Sequence, residues 1–328
     1  MKGKRLAACL LAAGIAAFSC SPRAAALTAD EVPASAAVLM ESSTGKVLFE
    51  KNAHEQLPCA SITKVMTLLL VMEGLDSGAI ALDDMVTASE HAASMGGSDI
   101  WLEPGETMSV NDLLKATVIV SANDAAVALA EHLCGSEDAF VARMNERAAE
   151  LGMQDTVYKN CNGLDEDGHL TSAYDIALVS RALIAHERIF DYTTVWMDEL
   201  RDGKTQLVNT NKLLKSYSGI TGLKTGTTGK AGSCMAATAE REGMSLIAVV
   251  LGCKTTDERF SSAASLLDYG FSGWTLASPA LPETGLEPIP VESGMESAVA
   301  VEAEEPAGMV VPKGREGELV CETILDEK

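Results

Sequence analysis

The sequence predicts an α/β protein of the α+β kind, in which helices flank a largely antiparallel sheet built from both ends of one domain. Alternating or continuous apolar runs within residues 36–50 and 232–252 are typical of strand hairpins. Helical patterns occupy much of residues 61–184, between the two hairpins. Because strands and helices do not alternate strictly, as they do in βαβ units, we expect antiparallel pairing.

The first strands form a predicted hairpin. The apolar run Ala36–Met40 leads into the turn residues Ser43-Thr44-Gly45, and Lys46–Glu50 follows as the returning strand. A helix is then predicted from Ser61 to Leu75. Its leucine, valine and methionine side chains form a dense apolar face, which indicates a buried helix.

The next helices are predicted from their periodicity and from capping residues. They are Asn111–Ile119, Asp124–Cys134, Ser136–Leu151 and a helix that runs from Ser172 through Ile184. Ser136 suits the N-cap and Gly152 the C-cap of the third helix. Ser172 and Asp175 have the spacing of a capping box, which places a helix start there.

The second hairpin and a closing helix complete the predicted main domain. Gly232–Ala239 and Met244–Gly252 are apolar runs joined by a short charged turn. Ser261–Tyr269 has the pattern of a helix. We therefore assign residues 27–275 to one domain.

The composition changes after the main domain. Residues 276–328 are rich in proline and glutamate and poor in aromatic residues, so we interpret them as a linker followed by an incomplete β domain. Short strands are predicted around Val299–Val301, Met309–Val311 and Glu318–Ile324. Disorder is the alternative, because an acidic segment with few bulky apolar residues buries little surface.

The first 26 residues have the features of an export signal. Basic residues precede the apolar run Leu6–Phe18, and Ala24-Ala25-Ala26 supplies small residues for cleavage. No later run is long and apolar enough to predict a membrane span. We therefore expect an exported protein that acts outside the cytoplasm, in the cell envelope or secreted.

Composition excludes several classes of function. The net charge of −22 argues against a nucleic-acid partner, because a phosphate backbone needs a basic surface. The histidines do not have the spacing of metal ligands, and we expect neither a metal nor another cofactor.

The six cysteines after the signal show no Cys-x-x-Cys pattern, so buried thiols are favoured over a disulfide framework. Cys59 is expected close to the candidate site.

Three short motifs carry the functional prediction. They are Ser61-Ile62-Thr63-Lys64, Ser121-Ala122-Asn123 and Lys224-Thr225-Gly226. Each is common by itself, but together, in this order, they are the signature of active-site serine enzymes that acylate on penicillin and on D-alanyl peptides. A nucleophilic acyl-transfer enzyme is therefore the leading hypothesis.

Ser61 and Lys64 are the predicted nucleophile and general base. They lie three residues apart on a predicted helix, so that both side chains share one face. A serine hydroxyl needs a base to take its proton, and burial together with a nearby cation, for which Lys224 is the candidate, would lower the pKa of Lys64 toward the range of such a base. The alternative is that Ser61 only caps the helix and Lys64 is solvated.

The second and third motifs supply the remaining predicted site residues. Ser121 is expected to relay a proton, and Asn123 to hold a substrate amide, although both also suit helix capping. Lys224 and Thr225 are expected to bind a substrate carboxylate. Gly226 would let a substrate backbone lie close to the strand. The backbone N–H of the next residue, Thr227, is a predicted oxyanion donor together with that of Ser61. An edge strand that ends in a Gly-Thr turn is the alternative.

The resemblance to a known family extends beyond these motifs. Pro58–Thr67 resembles the nucleophile segment of the D-alanyl-D-alanine carboxypeptidases, the low-molecular-mass penicillin-binding proteins, and is most similar to those of spore-forming Gram-positive bacteria. Ser89–Ser98 with Leu102–Glu106 is similar to the family's loop beside the active site. Asn162–Asp175 resembles a further block, and the similarity covers about residues 36–274.

The resemblance implies a penicilloyl-serine-transferase fold, like that of β-lactamases, with the site between a sheet flanked by helices and an all-helical part. It implies release of terminal D-alanine from peptidoglycan stem peptides that end in D-Ala-D-Ala, and covalent inhibition by β-lactams. The implied roles are Ser61 as acylated nucleophile, Lys64 as its base, Ser121 and Asn123 as the second motif, and Lys224 as a carboxylate ligand. Arg259 is the candidate for a further arginine that contacts this carboxylate.

Two departures from the family pattern bear on function. Ala122 stands where the family usually has glycine. The family's C-terminal β domain is represented only by its first part, including Pro312-Lys313-Gly314, and its amphipathic membrane-docking helix is not encoded in this chain, so any peripheral membrane association stays open.

A class A β-lactamase and a non-catalytic binder of peptidoglycan or β-lactams are the alternative functions.

Overall fold

The computed structural model of the chain describes residues 27–279, 289–290, 298–299 and 308–320. The chain divides into two compact units, the first spanning Ala26–Phe271 and the second containing the described residues from Ser272 onward. The predicted export signal, residues 1–26, lies outside the described residues.

The strands of the first unit pair antiparallel, and the longest are three neighbours in sequence near its end. In chain order they are β1 (Ala36–Glu41), β2 (Val47–Lys51), β3 (Met85–Thr87), β4 (Thr107–Ser109), β5 (Met197–Leu200), β6 (Thr205–Val208), β7 (Ile220–Thr228), β8 (Gly232–Arg241) and β9 (Met244–Cys253). Five of them form one sheet in the order β2-β1-β9-β8-β7, and β3-β4 and β5-β6 form separate pairs. Val38 of β1 lies opposite Val249 of β9. This pairing confirms that both ends of the domain build the sheet.

The helices pack around this sheet. In chain order they are α1 (Lys64–Asp76), α2 (Glu90–Ala93), α3 (Val110–Ile119), α4 (Asn123–Cys134), α5 (Glu137–Glu150), α6 (Ala173–Ile184), α7 (Phe190–Thr193) and α8 (Thr256–Gly273). Single 3₁₀ turns occur at Ala29–Glu31, Ala60–Thr63, Glu187–Ile189 and Lys212–Lys215.

The centre of the first unit is α1, which contacts α4, α5, α6 and β7. All its residues from Lys64 through Met72 are buried, as its apolar face predicted. Each fully buried leucine, valine or methionine contributes roughly 1.5–3 kcal/mol relative to an exposed one. The helix that carries Lys64, the last residue of the first motif, is therefore fixed by packing against its neighbours.

Local capping explains most helix ends. The Ser136 side chain accepts a hydrogen bond from the Ala139 N–H, which confirms its predicted N-cap role. Ser172 caps α6 by accepting from the Asp175 N–H, but the capping box is only half formed. The Asp175 carboxylate instead accepts hydrogen bonds from Thr156 Oγ1 and the Asp155 N–H, and so ties a preceding loop to α6.

The closing helix is longer than predicted. The prediction of Ser261–Tyr269 was wrong at both ends, because α8 begins at Thr256 and continues through Gly273. Glu258 donates its N–H to Thr255 Oγ1, and its carboxylate accepts from the Thr255 N–H. This reciprocal capping starts the helix five residues earlier.

The second unit contains short strand pairs. They are β10 (Trp274–Ala277), β11 (Ile289–Pro290), β12 (Ala298–Val299) and β13 (Met309–Pro312). β10 pairs with β13 and β11 with β12, both antiparallel. The strand predicted at Glu318–Ile324 was not found where the chain is described, because Glu316–Glu318 forms a 3₁₀ turn and residues beyond 320 lie outside the described part. Within the described residues, the helices are too short or too polar to span a bilayer.

Candidate active site

The nucleophile segment is a tight turn that leads into α1. Ala60–Thr63 forms a 3₁₀ turn, and Ala60 adopts a positive φ of 51°. Ser61 is partly exposed, whereas Lys64, at the start of α1, is fully buried. The Lys64 Nζ lies 3.2 Å from the Ser61 Oγ. Among the described side chains none caps the first turn of α1, whose N-cap position is Thr63, so the capping alternative for Ser61 is wrong.

Lys64 is arranged to act as a base. Its Nζ lies 2.5 Å from Asn123 Oδ1 and 2.7 Å from the Asn162 carbonyl oxygen. Burial lowers the pKa of the Lys64 amine to about 7. A neutral amine has two N–H donors, and these two acceptors match them. Its lone pair is then left for the proton of Ser61.

The second motif lies between α3 and α4. Ser121 has a positive φ of 65°, which directs its side chain into the site, and its Oγ accepts a hydrogen bond of 2.7 Å from Lys224 Nζ. Asn123 bridges the Lys64 amine and the Gly96 carbonyl, to which its Nδ2 donates over 2.7 Å. Among the described side chains none caps α4, whose N-cap position is Ala122. Asn123 therefore positions Lys64 instead of capping a helix.

Lys224 reaches the site from strand β7. It is buried, and its Nζ donates to Ser121 Oγ and, over 3.0 Å, to its neighbour's carbonyl, that of Thr225. Burial, with repulsion from Lys64 and Arg259, holds the Lys224 pKa well below its ordinary value. For Lys64 the pKa is lowered by burial, as expected, but the additional contribution expected from Lys224 is not among the causes of the shift.

Gly226 allows β7 to pack against the nucleophile turn. A Cβ atom at this position would lie 2.9 Å from the Ser61 nitrogen and 2.9 Å from the Cys59 carbonyl oxygen. Real Cβ atoms do not approach backbone atoms so closely. The glycine is therefore required by the protein's own backbone, because it lets β7 lie directly against the turn that carries Ser61.

The residues proposed to bind carboxylate lie along the same strand. Thr225 is buried, with its Oγ1 2.7 Å from Thr210 Oγ1, whereas Thr227 is exposed. Arg259, on α8, donates from Nη1 to the Gly226 carbonyl over 3.1 Å and to Thr227 Oγ1 over 3.0 Å. Burial lowers its pKa. The structure thus links the residues singled out from the sequence through direct contacts around the Ser61 turn and β7.

Two further residues contribute to the site without having been assigned a role from the sequence. The Asn162 carbonyl binds Lys64, and Gly163 next to it has a φ of +86°. Asp124 accepts hydrogen bonds from the backbone of Ile100 and Leu102 and so fixes the loop beside the site. The Asn-Gly pair is a turn signal, but a backbone carbonyl has no sequence signature.

Metal ligands and disulfides do not contribute to the described part of the chain. Within it, no group of three or more His, Cys, Asp or Glu side chains is placed to hold a metal ion. The cysteines of this part are free thiols. Four are buried and one is half-buried, namely Cys59, Cys161, Cys234 and Cys253, and Cys134.

The rate of acylation is expected to rise with pH through about 7. Only neutral Lys64 can accept the Ser61 proton, and its pKa is about 7. Below that value the rate should fall about tenfold per pH unit, and at higher pH it should stop rising and fall again as Lys224, whose pKa is also well below its ordinary value, loses the proton it donates. Stopped-flow measurement of penicillin acylation between pH 5 and 9 checks this. A rate independent of pH below 7 would show that Lys64 is not the limiting base.

Comparison with known proteins agrees with this geometry. The sequence profile of the D-alanyl-D-alanine carboxypeptidase family matches residues 23–255. The chain is 46% identical over 286 residues to D-alanyl-D-alanine carboxypeptidase DacF of Bacillus subtilis, an alignment that covers 86% of this chain and 74% of that protein.

Solved structures of penicillin-binding proteins have the same fold. Penicillin-binding protein 5 from Haemophilus influenzae superposes with a TM-score of 0.80 at 30% identity, covering 89% of this chain and 86% of that one. The ampicillin-bound penicillin-binding protein D2 from Listeria monocytogenes gives a TM-score of 0.67 at 35% identity, covering 73% and 98%. These likenesses confirm the predicted penicilloyl-serine-transferase fold. The chain therefore belongs to the D-alanyl-D-alanine carboxypeptidase family, among the low-molecular-mass penicillin-binding proteins.

Proposed function

We propose that this chain is a serine-type D-alanyl-D-alanine carboxypeptidase that removes the terminal D-alanine from peptidoglycan stem peptides through an acyl-Ser61 intermediate. β-Lactams would acylate the same serine. The observation that carries the proposal is the Lys64 amine, which is buried, lies 3.2 Å from Ser61 Oγ and has acceptors for both of its N–H groups.

Acylation begins when neutral Lys64 takes the hydroxyl proton of Ser61. The Ser61 oxygen then attacks the carbonyl carbon of the penultimate D-alanine. The backbone N–H groups of Ser61 and Thr227 stabilise the oxyanion of the tetrahedral intermediate. Gly226 supports this step, because it lets β7 lie against the nucleophile turn.

The leaving amine needs a proton as the C–N bond breaks. Ser121 supplies it and regains a proton from Lys224, which donates to its Oγ over 2.7 Å. The proton gained by Lys64 restores Lys224, so both lysines return to their starting charge. A water molecule then attacks the ester with Lys64 as base, and Lys64 returns the proton to Ser61 as the ester bond breaks.

We place the substrate's terminal carboxylate at the positively charged end of β7. Lys224 and Arg259 supply charge there, and the Thr225 hydroxyl, which pairs with Thr210 Oγ1, supplies a donor. Asn123 would hold a substrate amide through its second Nδ2 hydrogen, since its Oδ1 accepts from Lys64 and its Nδ2 already donates to Gly96. A free carboxylate at this position explains why the enzyme would cleave the last peptide bond of the chain.

Replacing Arg259 with alanine is expected to lower kcat/KM for a D-Ala-D-Ala peptide about 10- to 100-fold, mostly through KM, because a hydrogen bond to a charged group contributes roughly 1.5–3 kcal/mol. A peptide with a C-terminal amide should lose much less. Arg241→Ala is the matched control, because Arg241 bonds the Ser218 carbonyl outside the site. An equal loss on both peptides would contradict carboxylate binding by Arg259.

The proposed place of action is outside the cytoplasm, where peptidoglycan is assembled. The predicted export signal of residues 1–26 supports this location. The domain boundary after residue 275 stays a prediction.

The β-lactamase alternative differs in how water is activated. Class A β-lactamases use a Glu-x-x-x-Asn loop, a pattern not found between Asp124 and Leu200. In the part of the chain that the structure describes, the loop atom that contacts the Lys64 amine is the backbone carbonyl oxygen of Asn162 and not a glutamate carboxylate. We therefore expect a long-lived penicilloyl enzyme.

Two assays test the proposed function. Intact-mass spectrometry after mixing with penicillin should show one persistent adduct, and a diacyl-D-Ala-D-Ala peptide should release D-alanine. Rapid nitrocefin turnover without D-alanine release would favour a β-lactamase. An adduct without either turnover would favour a non-catalytic binder, and no adduct at all would overturn the proposal.

A further inference from the structure

Three buried side chains lie behind the nucleophile and take no part in the chemistry proposed above. His169 is 4% exposed, Thr63 0% and Cys59 1%. They form a continuous hydrogen-bonded chain from the loop before α6 to the turn that carries Ser61. Buried polar groups arranged in such a chain usually fix the position of what they contact.

The direction of this chain begins with the tautomer of His169. The Lys159 N–H donates to His169 Nδ1 over 3.1 Å, so Nδ1 is the acceptor and Nε2 carries the proton. Nε2 then donates to Thr63 Oγ1 over 2.7 Å. Burial lowers the pKa of His169 to about 4, which keeps the ring neutral at physiological pH.

The chain continues to the backbone beside the nucleophile. Because Thr63 Oγ1 accepts from His169, its own proton is available to Cys59 Sγ, 3.3 Å away. The Cys59 thiol donates in turn to the Ala60 carbonyl, at a sulfur–oxygen distance of 3.7 Å. That carbonyl belongs to the same peptide group as the Ser61 N–H, the proposed oxyanion donor.

This peptide group is held in a conformation that is unfavourable by itself. Ala60 has a φ of +51°, which side-chain-bearing residues seldom adopt. Two glycines pack closely against this peptide group. A Cβ at Gly163 would lie 2.0 Å from the Ala60 oxygen, and a Cβ at Gly226 would lie 2.9 Å from the Ser61 nitrogen. The hydrogen-bonded chain adds a third support. A strained group of this kind persists only when its surroundings fix it.

We propose that His169 is a positioning residue that holds and polarises the Ala60–Ser61 peptide through Thr63 and Cys59, and thereby sets the strength of the oxyanion hole. A hydrogen bond to the Ala60 carbonyl strengthens the Ser61 N–H as a donor, because the two share one conjugated amide. The inference rests on the proposed acylation of Ser61. The plain alternative is that His169 only packs, edge-on, against Tyr158.

Two conservative variants separate these accounts. In His169→Gln the amide Nε2 stands the same number of bonds from Cα as the histidine Nε2, so it can still donate to Thr63. In His169→Asn the amide replaces only the Nδ1 acceptor and stops short of Thr63. The first-order constant for acylation by benzylpenicillin should stay near wild type in His169→Gln and fall about 10- to 100-fold in His169→Asn, with the initial binding constant unchanged.

A second pair tests the chain without altering His169. Thr63→Ser keeps the hydroxyl and should acylate nearly normally, whereas Thr63→Val removes it and should be as slow as His169→Asn. The double variant His169→Asn with Thr63→Val should be no slower than either single one, because both break the same chain.

Several results would overturn the inference. They are an equal loss in the Gln and Asn variants, wild-type acylation in Thr63→Val, or a loss confined to initial binding. Thermal melting of each variant identifies those that do not fold, and the Thr63 pair then decides. A wild-type chain that takes up no penicilloyl group would overturn the proposed function itself, and this inference with it.

Discussion

Ser61→Ala is expected to abolish both D-alanine release and covalent labelling by penicillin. The proposed acyl-enzyme forms on the Ser61 oxygen, and the variant has no other atom in that place. In serine hydrolases, loss of the nucleophile costs roughly 10⁴-fold or more in turnover. Intact-mass spectrometry with penicillin and chromatography of released D-alanine measure the two losses separately.

A second serine provides the matched control. Ser136 also lies at the start of a helix, but its side chain caps α5 by accepting from the Ala139 N–H. Ser136→Ala should lower the free energy of unfolding by about 0.5–2 kcal/mol and leave labelling intact. Ser61→Ala should abolish labelling and leave the free energy of unfolding nearly unchanged, because Ser61 does not cap α1. A penicilloyl adduct that persists in Ser61→Ala would place the nucleophile elsewhere.

The motif residues could be located from the sequence because their chemistry is carried by side chains at short spacings. Ser61 and Lys64 were expected on one helix, three residues apart. In the structure, Ser61 lies on a 3₁₀ turn that precedes α1. The helix start predicted at Ser61 was therefore wrong, but the two side chains still meet, because residues i and i+3 also share one face in a 3₁₀ turn.

The parts of the site that the sequence did not predict depend on tertiary packing. The acceptor beside Lys64 is the Asn162 carbonyl, and every residue has such a carbonyl. Gly226 was expected to make room for substrate, but its nearest neighbours are the backbone atoms of Cys59 and Ser61. Local pattern cannot show which distant backbone a glycine faces.

The dependence on distant contacts also limits what the sequence predicts about the fold. Strands β8 and β9 are joined by a short turn, so their pairing follows from local sequence. The strand β10 was not expected, because Trp274–Ala277 borders the predicted linker and its partner in the described residues is the distant strand Met309–Pro312. The helix α8 was predicted too short because Thr255 and Glu258 were not recognised as a capping pair.

Lys64→Met is the second change with a very large expected effect. Methionine fills a similar volume but cannot accept the Ser61 proton, so acylation by penicillin at pH 8 should fall at least about 10³-fold. Raising the pH should not restore the rate, because the base is absent and not merely protonated. A rate that recovered with pH would mean that another group accepts the proton.

The pH dependence of stability distinguishes loss of the base from loss of the fold. In the folded chain the Lys64 pKa is about 7, and in the unfolded chain it is near its model-peptide value of about 10.4. Between these values the unfolded state binds more protons, so the wild type gains stability as pH rises, by about 1.4 kcal/mol per unit from this group. The Lys64→Met variant lacks this gain. Its free energy of unfolding, measured with urea from pH 7 to 10, should therefore fall increasingly behind that of the wild type, whereas a constant difference would mean that Lys64 is not buried with a lowered pKa.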